Sequence, residues 1–261
     1  MKTRLVLALL FLPLFFAKAQ TFQWPQKKEM ALSLTWDDAR ASQVIIGTSI
    51  LNQYGTKATF YVQPGPVSKE LQGWKEAVEA GHEIGNHSVS HPCSGNFLWS
   101  RENALEDYSM EQINAQLRTA NGQIYELLGT EPVSFAYPCG QTYVGRGENT
   151  RSYVPVVADL FSSGRTWMDE APNDPSFCDL AQITGIEIDG KTFEELLPII
   201  ETARKDGLWL VFAGHEINTD GPQTTRTETL EKLLKYLQTQ PEIWVAPVGE
   251  VTGYILRNKG K

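Results

Sequence analysis

Positive charge is scarce in this sequence. It has 23 Lys and Arg residues against 31 Asp and Glu residues, which gives a formal net charge of −8 at pH 7. Such a surface repels polyanions, so the composition argues against nucleic acid or an anionic membrane as a partner. A neutral or amine-bearing polymer is compatible with this charge, although the sign of a charge does not identify a substrate.

Long apolar runs are also missing, apart from one at the N-terminus. Two cations, Lys2 and Arg4, precede an apolar run that ends in the small-residue pattern Ala17-Lys18-Ala19. This order predicts a secretory signal peptide over residues 1–19. The run is shorter than the roughly 20 residues of a membrane span, so we expect no stable membrane anchor; a retained anchor is the alternative. Cleavage would leave a secreted or periplasmic protein, residues 20–261, with a net charge near −11.

Cysteine is rare as well. The three cysteines, Cys93, Cys139 and Cys178, show no CxxC spacing, which argues against a zinc cluster built from cysteine pairs. In an oxidising compartment they can form one disulfide, and any of the three pairings is open. We therefore expect one structural disulfide, or three unpaired thiols, and not a catalytic cysteine.

The sequence has no internal repeat, low-complexity tract or linker that would split residues 20–261, so one large domain is expected. Short β-branched runs alternate with amphipathic stretches, which predicts an α/β fold with a parallel sheet and helices packed outside it. About seven strands in one domain favour a barrel, with a doubly wound sheet as the alternative. Strands are predicted at 30–36, 57–62, 83–86, 133–137, 159–163, 183–188, 208–213 and 243–246. Helices are predicted at 41–54, 67–80, 104–128, 192–206 and 228–240.

Polar side chains recur at the carboxyl ends of these predicted strands. Asp37 and Asp38 follow the first strand, His87 the third, residues 138–140 the fourth, and His215 the strand at 208–213. Barrels of parallel strands carry their chemistry on the loops at this end. These residues are therefore candidates for one shared active site.

Two of the four histidines lie four residues apart, at His87 and His91. Pro92 disfavours helical backbone at His91, which places the pair on a loop. Two imidazoles and one carboxylate are a common ligand set for Zn²⁺ or a similar divalent ion, with positions left open for water and substrate. Asp37 or Asp38 can supply the carboxylate. The alternatives are histidines without a metal and an aspartate that caps the following helix.

Four segments resemble, in order, the motifs of the NodB-type polysaccharide deacetylases, carbohydrate esterase family 4. Residues 34–38 (LTWDD) are similar to the first motif, and residues 81–92 (GHEIGNHSVSHP) to the second, which is the most specific match. Residues 135–140 (FAYPCG) resemble a variant third motif, and residues 211–215 (VFAGH) the last. The resemblance implies a distorted (β/α) barrel as the fold.

The resemblance also implies roles for the acidic residues and histidines of the first two motifs. Asp37 becomes the general base, and Asp38 binds one divalent ion together with His87 and His91. Zn²⁺ is the expected metal, with Co²⁺, Ni²⁺ or Mn²⁺ as alternatives.

The later motifs supply the remaining groups that the resemblance implies. His215 becomes the general acid. Tyr137, Pro138 and Cys139 form the substrate and oxyanion region, where the backbone N–H of Cys139 helps to bind the oxyanion.

The third motif departs from the family at Ala136, where an Arg usually orients the base. We expect Arg165, near the end of the predicted strand at 159–163, to reach Asp37 instead; a solvated surface Arg is the alternative. The family's bulky apolar residue two positions before the acid His is here Ala213, and Trp167 is the candidate to line the acetyl pocket in its place.

Two assignments lie outside the motif roles. His82 precedes the third predicted strand, far from His87, and is expected to be structural. The carboxylate that tunes His215 remains open among Asp169, Glu187 and Asp189.

The implied function is hydrolysis of acetyl groups on a carbohydrate, with an N-acetylated glycan as the expected substrate. One alternative is an O-acetyl esterase for a polymer such as xylan, because the same metal and base serve both reactions. Two others are a non-catalytic glycan-binding relative of the same fold and a secreted metal-binding protein. A pure binding module needs neither a base nor an acid, which argues against those two.

Overall fold

The computed structural model describes residues 22–258 of the chain. The predicted signal peptide at residues 1–19 lies outside the described residues. In the part that is described, no helix combines the length and the apolar character needed to cross a lipid bilayer.

The described part of the chain contains twelve strands, numbered in chain order. They are β1 (Met30–Trp36), β2 (Thr59–Val62), β3 (Glu83–Asn86), β4 (Ser134–Ala136), β5 (Tyr143–Val144), β6 (Arg151–Ser152), β7 (Ser163–Arg165), β8 (Ile186–Glu187), β9 (Trp209–Gly214), β10 (Glu216–Asn218), β11 (Thr224–Arg226) and β12 (Ile243–Val245).

Eight α-helices accompany the strands within residues 22–258. They are α1 (Thr48–Gln53), α2 (Pro64–Lys69), α3 (Leu71–Glu79), α4 (Met110–Leu128), α5 (Val154–Leu160), α6 (Phe193–Lys205), α7 (Thr227–Gln238) and α8 (Val248–Asn258). A π-helical turn, Gln43–Gly47, leads into α1, and Pro138–Gly140 forms a 3₁₀ turn after β4.

The main sheet is parallel throughout and curls into a half-barrel. Seven strands follow the order β7-β4-β3-β2-β1-β9-β8, and β12 pairs with β1 off this path. Met30 to Leu32 of β1 pair with β12, whereas Thr35 and Trp36 pair with β2. The two strands thus pair with different parts of the same edge of β1. The prediction of a distorted α/β barrel of about seven parallel strands is confirmed.

Strand β1 lies at the centre of the sheet, and all seven of its residues are buried. Its even-numbered side chains, such as Leu32 and Leu34, join the largest hydrophobic core, while Ala31 faces a second core with Trp209. The sequence of a strand that is buried on both faces is a nearly continuous apolar run. This explains why β1 was predicted with its observed bounds.

Helix α7 confirms the prediction from its leucine spacing. Leu230, Leu233 and Leu234 are fully buried and Leu237 nearly so, on the face that packs against the main core. Each such side chain contributes roughly 1.5–3 kcal/mol when it leaves water. These residues hold the helix against the outer face of the sheet.

Four predicted elements differ from the structure, and one of them is the strand expected at 183–188, which is limited to Ile186–Glu187. The helix expected at 67–80 is two helices, α2 and α3, separated at Glu70, whose backbone is non-helical. The helix expected at 104–128 begins only at Met110, because Ser109 and Gln112 form a capping box there. The strand expected at 159–163 is wrong: residues 154–160 are helical, and the strand runs from Ser163 to Arg165.

Several elements were not predicted: helix α5, the short strands β5, β6, β10 and β11, and helix α8. Helix α8 buries Val248, Val251, Thr252 and Ile255, which recur at the i, i+3, i+4 and i+7 positions of a helix. Its two glycines and β-branched residues lower intrinsic helix propensity, and packing against β1 and β7 outweighs that preference.

Candidate active site

The predicted site residues meet at one end of the sheet. Asp37 and Asp38 follow β1, His87 follows β3, and His215 follows β9. A cavity of about 800 Å³ opens at this end. Eight of the predicted residues line it: Asp37, Asp38, His87, His91, Tyr137, Cys139, Trp167 and His215. Pro138 and Arg165 are buried and do not line it.

Asp38, His87 and His91 form a compact cluster of metal-ligand atoms. Asp38 Oδ1 lies 3.5 Å from His87 Nε2 and 3.4 Å from His91 Nε2. The three ligand atoms all lie within 4.8 Å of one another. Two imidazoles and one carboxylate directed at a common point fit a divalent cation of the zinc type.

Backbone geometry explains how neighbouring side chains reach this point. Asp38 has φ 74° and His91 has φ 50°, in the left-handed region that residues other than glycine rarely adopt. The His91 N–H donates to Ser88 Oγ at 2.9 Å, which supports the turned loop. Such strained conformations are typical of functional sites.

Neighbouring groups fix the orientation of two of the candidate ligands. His87 Nδ1 donates to the carbonyl oxygen of Ala136 at 2.8 Å; since a carbonyl only accepts, the lone pair is left on Nε2. Arg40 donates to Asp38 Oδ2 from Nε at 3.1 Å and from Nη2 at 2.9 Å. The other oxygen, Oδ1, is thereby left to face the imidazoles.

The electrostatics of the cluster favour cation binding. Burial opposes ionisation of Asp38, but the imidazoles of His87, His91 and His215 hold the pKa of its carboxyl well below the usual range. Burial and the neighbouring His87 lower the pKa of His91 to about 4. At neutral pH the carboxylate is therefore ionised and the His91 ring is neutral, as metal binding requires.

Asp37 is held in a buried ion pair. Arg165 Nη2 donates to Asp37 Oδ1, and the Arg165 side chain is 0% exposed. The guanidinium carbon lies 5.0 Å from the ring centroid of Tyr61 and 5.4 Å from that of Trp167. The expected contact between Arg165 and Asp37 is present, and the alternative of a solvated surface Arg is wrong.

A helix-capping role for the two aspartates is not supported. The π turn and α1 that follow begin without a side-chain cap. Instead, Gln43 Nε2 donates to the carbonyl of Asp37 at 2.6 Å and to the carbonyl of His215 at 2.7 Å. Gln43 thus ties the loop after β1 to the loop after β9.

His215 is paired with Asp189. Its Nδ1 donates to Asp189 Oδ2 at 2.8 Å, and its backbone N–H lies 3.3 Å from Asp189 Oδ1. Asp169 instead accepts from the Thr166 hydroxyl and the Gly185 N–H. Burial disfavours the charged imidazole, but the hydrogen bond to Asp189 and the charges of the surrounding aspartates raise the pKa of His215. The side chain can thus carry a proton near neutral pH.

The turn after β4 approaches the cavity from a third direction. Cys139 has φ 55°, and its disulfide to Cys93 joins this turn to the loop that carries His91. Gly140 and Gln141 donate their N–H groups to carbonyls within the turn, at 2.8 and 3.1 Å; neither bond uses the N–H of Cys139. The Tyr137 hydroxyl donates to Ala181 O at 2.7 Å, so it points away from the cavity.

Several polar residues at the site were not predicted, and Arg40 and Gln43 make the closest contacts among them. Arg40 follows the aspartate pair by two residues, and this proximity was the only signal in the sequence. Gln43 gave none, because it lies in a predicted helix and acts through backbone carbonyls. His82, predicted to be structural, accepts from the Ala58 N–H at 3.2 Å and packs edge-on against Phe60, away from the cluster.

Comparison with known proteins gives a family match and a shared fold. The polysaccharide deacetylase family model matches residues 25–153. A gellan lyase of Bacillus sp. is 24% identical over 90% of this chain but only 10% of its own length. The peptidoglycan-N-acetylglucosamine deacetylase PgdA of Listeria monocytogenes is 27% identical over 44% of this chain and 22% of its own length. The chain thus spans less than a quarter of either relative.

Solved structures with the same fold include a "putative polysaccharide deacetylase" of Mycobacterium smegmatis, with a TM-score of 0.67, 15% identity, and coverage of 92% of this chain and 94% of that one. A family 4 acetyl xylan esterase of Clostridium thermocellum, solved with a cobalt ion, has a TM-score of 0.57 and 19% identity over 86% of this chain and 91% of that one. BA3943 of Bacillus anthracis, a pseudoenzyme of the same esterase family, has a TM-score of 0.55 and 21% identity over 86% of this chain and 66% of that one.

Proposed function

Because the chain belongs to the polysaccharide deacetylase family, we propose that it is a metal-dependent hydrolase that removes acetyl groups from a carbohydrate. The observation that carries this proposal is the convergence of a paired aspartate, a three-ligand cluster and a carboxylate-bound histidine on one cavity. A binding protein needs no such combination of base, ligands and acid. The N-terminal segment supports export, so we place residues 20–261 as a catalytic domain outside the cytoplasm.

Asp38, His87 and His91 would hold the metal ion. When bound, a divalent ion polarises the acetyl carbonyl and lowers the pKa of a bound water. The donor set fits Zn²⁺, with Co²⁺, Ni²⁺ or Mn²⁺ as alternatives. The contact between Arg40 and Oδ2 of Asp38 holds the carboxylate with Oδ1 beside the two imidazoles that would bind the ion with it.

Asp37 is proposed as the general base. Its Oδ2 lies 3.9 Å from His87 Nε2, so the carboxylate borders the metal-ligand cluster, while Oδ1 is fixed by Arg165. The buried guanidinium compensates the desolvation of the carboxylate and holds it in one orientation. Asp37 can thus take a proton from a water molecule at the ligand cluster.

His215 is proposed as the general acid. An amine leaving group must be protonated before it departs, and a histidine is the natural donor near neutral pH. The Asp189 hydrogen bond on Nδ1 leaves Nε2 to face the cavity and stabilises the protonated ring. The N–H of Cys139 would stabilise the oxyanion that forms from the acetyl carbonyl.

Trp167 is proposed as a wall of the acetyl pocket. Its ring centroid lies 4.6 Å from that of His215, and the residue lines the cavity. This placement supports the idea that it replaces the bulk missing at Ala213, which is buried in β9.

The preferred substrate class is an N-acetylated glycan, and an O-acetylated polysaccharide is the second candidate. The hydrogen bond between His215 and Asp189 supports a proton donor at this site, and an amine leaving group depends more on such a donor than a hydroxyl does. The pseudoenzyme BA3943 indicates that the fold alone does not guarantee activity, so the reaction itself must be measured.

The test is acetate release from N-acetylglucosamine oligomers and from acetylated xylan by the purified chain, with Asp37→Asn as the control. Release that disappears in the control supports the proposal, and the better substrate decides between amide and ester. Equal release by the control would overturn the role of Asp37. No release from either substrate, with a metal ion bound, would favour a non-catalytic relative.

A further inference from the structure

Three consecutive apolar side chains, Phe97, Leu98 and Trp99, are exposed on the loop after His91, by 43%, 75% and 65%. Exposing large apolar side chains in a cluster is unfavourable, and such patches mark binding surfaces. Phe97 and Trp99 stack on each other with ring centroids 5.5 Å apart and an interplanar angle of 21°. The two rings are thus nearly parallel, and both remain partly exposed to solvent.

The loop beneath this pair is firmly held. Cys93 anchors its start through the disulfide, and the backbone N–H of Cys93 donates to Ser100 Oγ at 3.1 Å. Glu106 accepts from Ser94 Oγ at 2.5 Å and from the Gly95 N–H at 2.9 Å. The exposed rings therefore stand on an ordered base, so binding there would lose little conformational entropy.

The pair borders the proposed active site. Phe97 and Trp99 both line the cavity that contains the ligand cluster, whereas Leu98 does not. The ring centroid of Trp99 lies 6.1 Å from that of His91, so a group that packs on Trp99 would adjoin a group at the ligand cluster. Trp167 lies beside His215 in the same cavity, where the acetyl group is proposed to bind.

We propose that Phe97 and Trp99 form a stacking platform for a pyranose ring next to the sugar that is deacetylated. The C–H groups of a pyranose form an apolar face that packs on an aromatic ring, while its hydroxyls point outward to water. The platform therefore requires a substrate of at least two sugar residues. This inference rests on the proposed function, because it places the reacting sugar at the ligand cluster.

The test compares Trp99→Ala with the wild type on an N-acetylglucosamine hexamer and on 4-nitrophenyl acetate, which has no sugar ring. Loss of the platform is expected to raise KM for the hexamer about tenfold, with a smaller change in kcat. The decrease in kcat/KM for the hexamer should exceed the decrease for 4-nitrophenyl acetate. Trp99→Phe should restore most of the affinity, because it keeps an aromatic face.

Leu98→Ala is the matched control, since it removes an exposed apolar side chain from the same loop outside the cavity. It should behave as the wild type. Equal KM values for the wild type and Trp99→Ala on the hexamer would overturn the platform. A rise in KM for Leu98→Ala as large as that for Trp99→Ala would also overturn it.

Binding measured by calorimetry in an Asp37→Asn background separates this proposal from the proposed function. If the hexamer binds but the chain with Asp37 intact releases no acetate, the deacetylase assignment fails. The affinities of the Asp37→Asn chain for the hexamer, with and without Trp99→Ala, still test the platform. If the hexamer does not bind with Trp99 present, the platform is overturned.

Discussion

At the scale of single residues, Asp37 and Asp38 show how two neighbouring carboxylates acquire different environments. The left-handed backbone at Asp38 turns one carboxylate towards the imidazoles and leaves the other against Arg165. The identical side chains then differ through their partners: a guanidinium on Asp37, and two imidazoles and Arg40 on Asp38. The proposed division between base and ligand follows from this difference.

The ion pair of Asp37 leads to the first prediction. Arg165→Met is expected to lower kcat by about a hundredfold, within the range that a positioned general base supplies, because Asp37 loses its orienting partner. One metal ion per chain should still bind, since the ligand cluster is untouched; this also reports on folding. Measured kcat values and metal content check both parts.

Arg118→Met is the control for that variant. Arg118 is 58% exposed and pairs with an exposed Asp159, and such surface pairs contribute little. It should retain wild-type activity. Full activity in Arg165→Met would contradict the positioning role.

The second prediction concerns the pH dependence set by His215. A general acid must be protonated, so activity falls as pH rises through its pKa. Asp189 raises that pKa, and Asp189→Asn should therefore move the basic limb of the kcat/KM profile to lower pH. Glu187→Gln, which changes a carboxylate outside the His215–Asp189 pair, should leave the limb in place. An unmoved limb in Asp189→Asn would argue against His215 as the acid.

At the scale of elements, loops from different strands are tied together rather than left independent. The Cys93–Cys139 disulfide joins the loop after β3 to the turn after β4, and Gln43 joins the loops after β1 and β9. The ligand His91 and the proposed oxyanion donor at Cys139 thus share one covalent link. We expect that link to set their relative positions.

The disulfide gives the third prediction. It closes a sequence separation of 46 residues, so the double variant Cys93→Ser/Cys139→Ser should lose about 3–4 kcal/mol in free energy of unfolding. Denaturant unfolding measures this loss. Cys178→Ser keeps the disulfide and should lose less. A change below about 1 kcal/mol in the double variant would mean that the link constrains the chain little.

Some elements and site residues could be predicted from the sequence because their signals are local. β1 reads as a buried apolar run, α7 carries a leucine repeat, and Pro92 places His91 on a loop. The disulfide pairing and the choice of Asp189 could not be predicted, because both depend on which loops the sheet order brings together. Arg165 was expected from the family resemblance: the third motif usually carries an Arg that orients the base, and Ala136 occupies its position here.

At the scale of the whole molecule, the parallel sheet brings the carboxyl ends of its strands to one side. Residues from Asp37 to His215, far apart in the chain, thereby share one cavity. Helix α8 is one of the elements that local patterning missed, because its β-branched residues and glycines favour other conformations until the barrel packs against it. Tertiary packing, and not the local sequence pattern, determines that this segment is helical. It also determines that the strand β7 starts at Ser163.

The central claim is that Asp38, His87 and His91 hold one divalent ion that hydrolysis requires. The measurement that tests it most directly is acetate release by the chelator-stripped chain during titration with Zn²⁺. The account predicts no release without metal and a linear rise that reaches a plateau at one ion per chain. Undiminished acetate release by the stripped chain would contradict it.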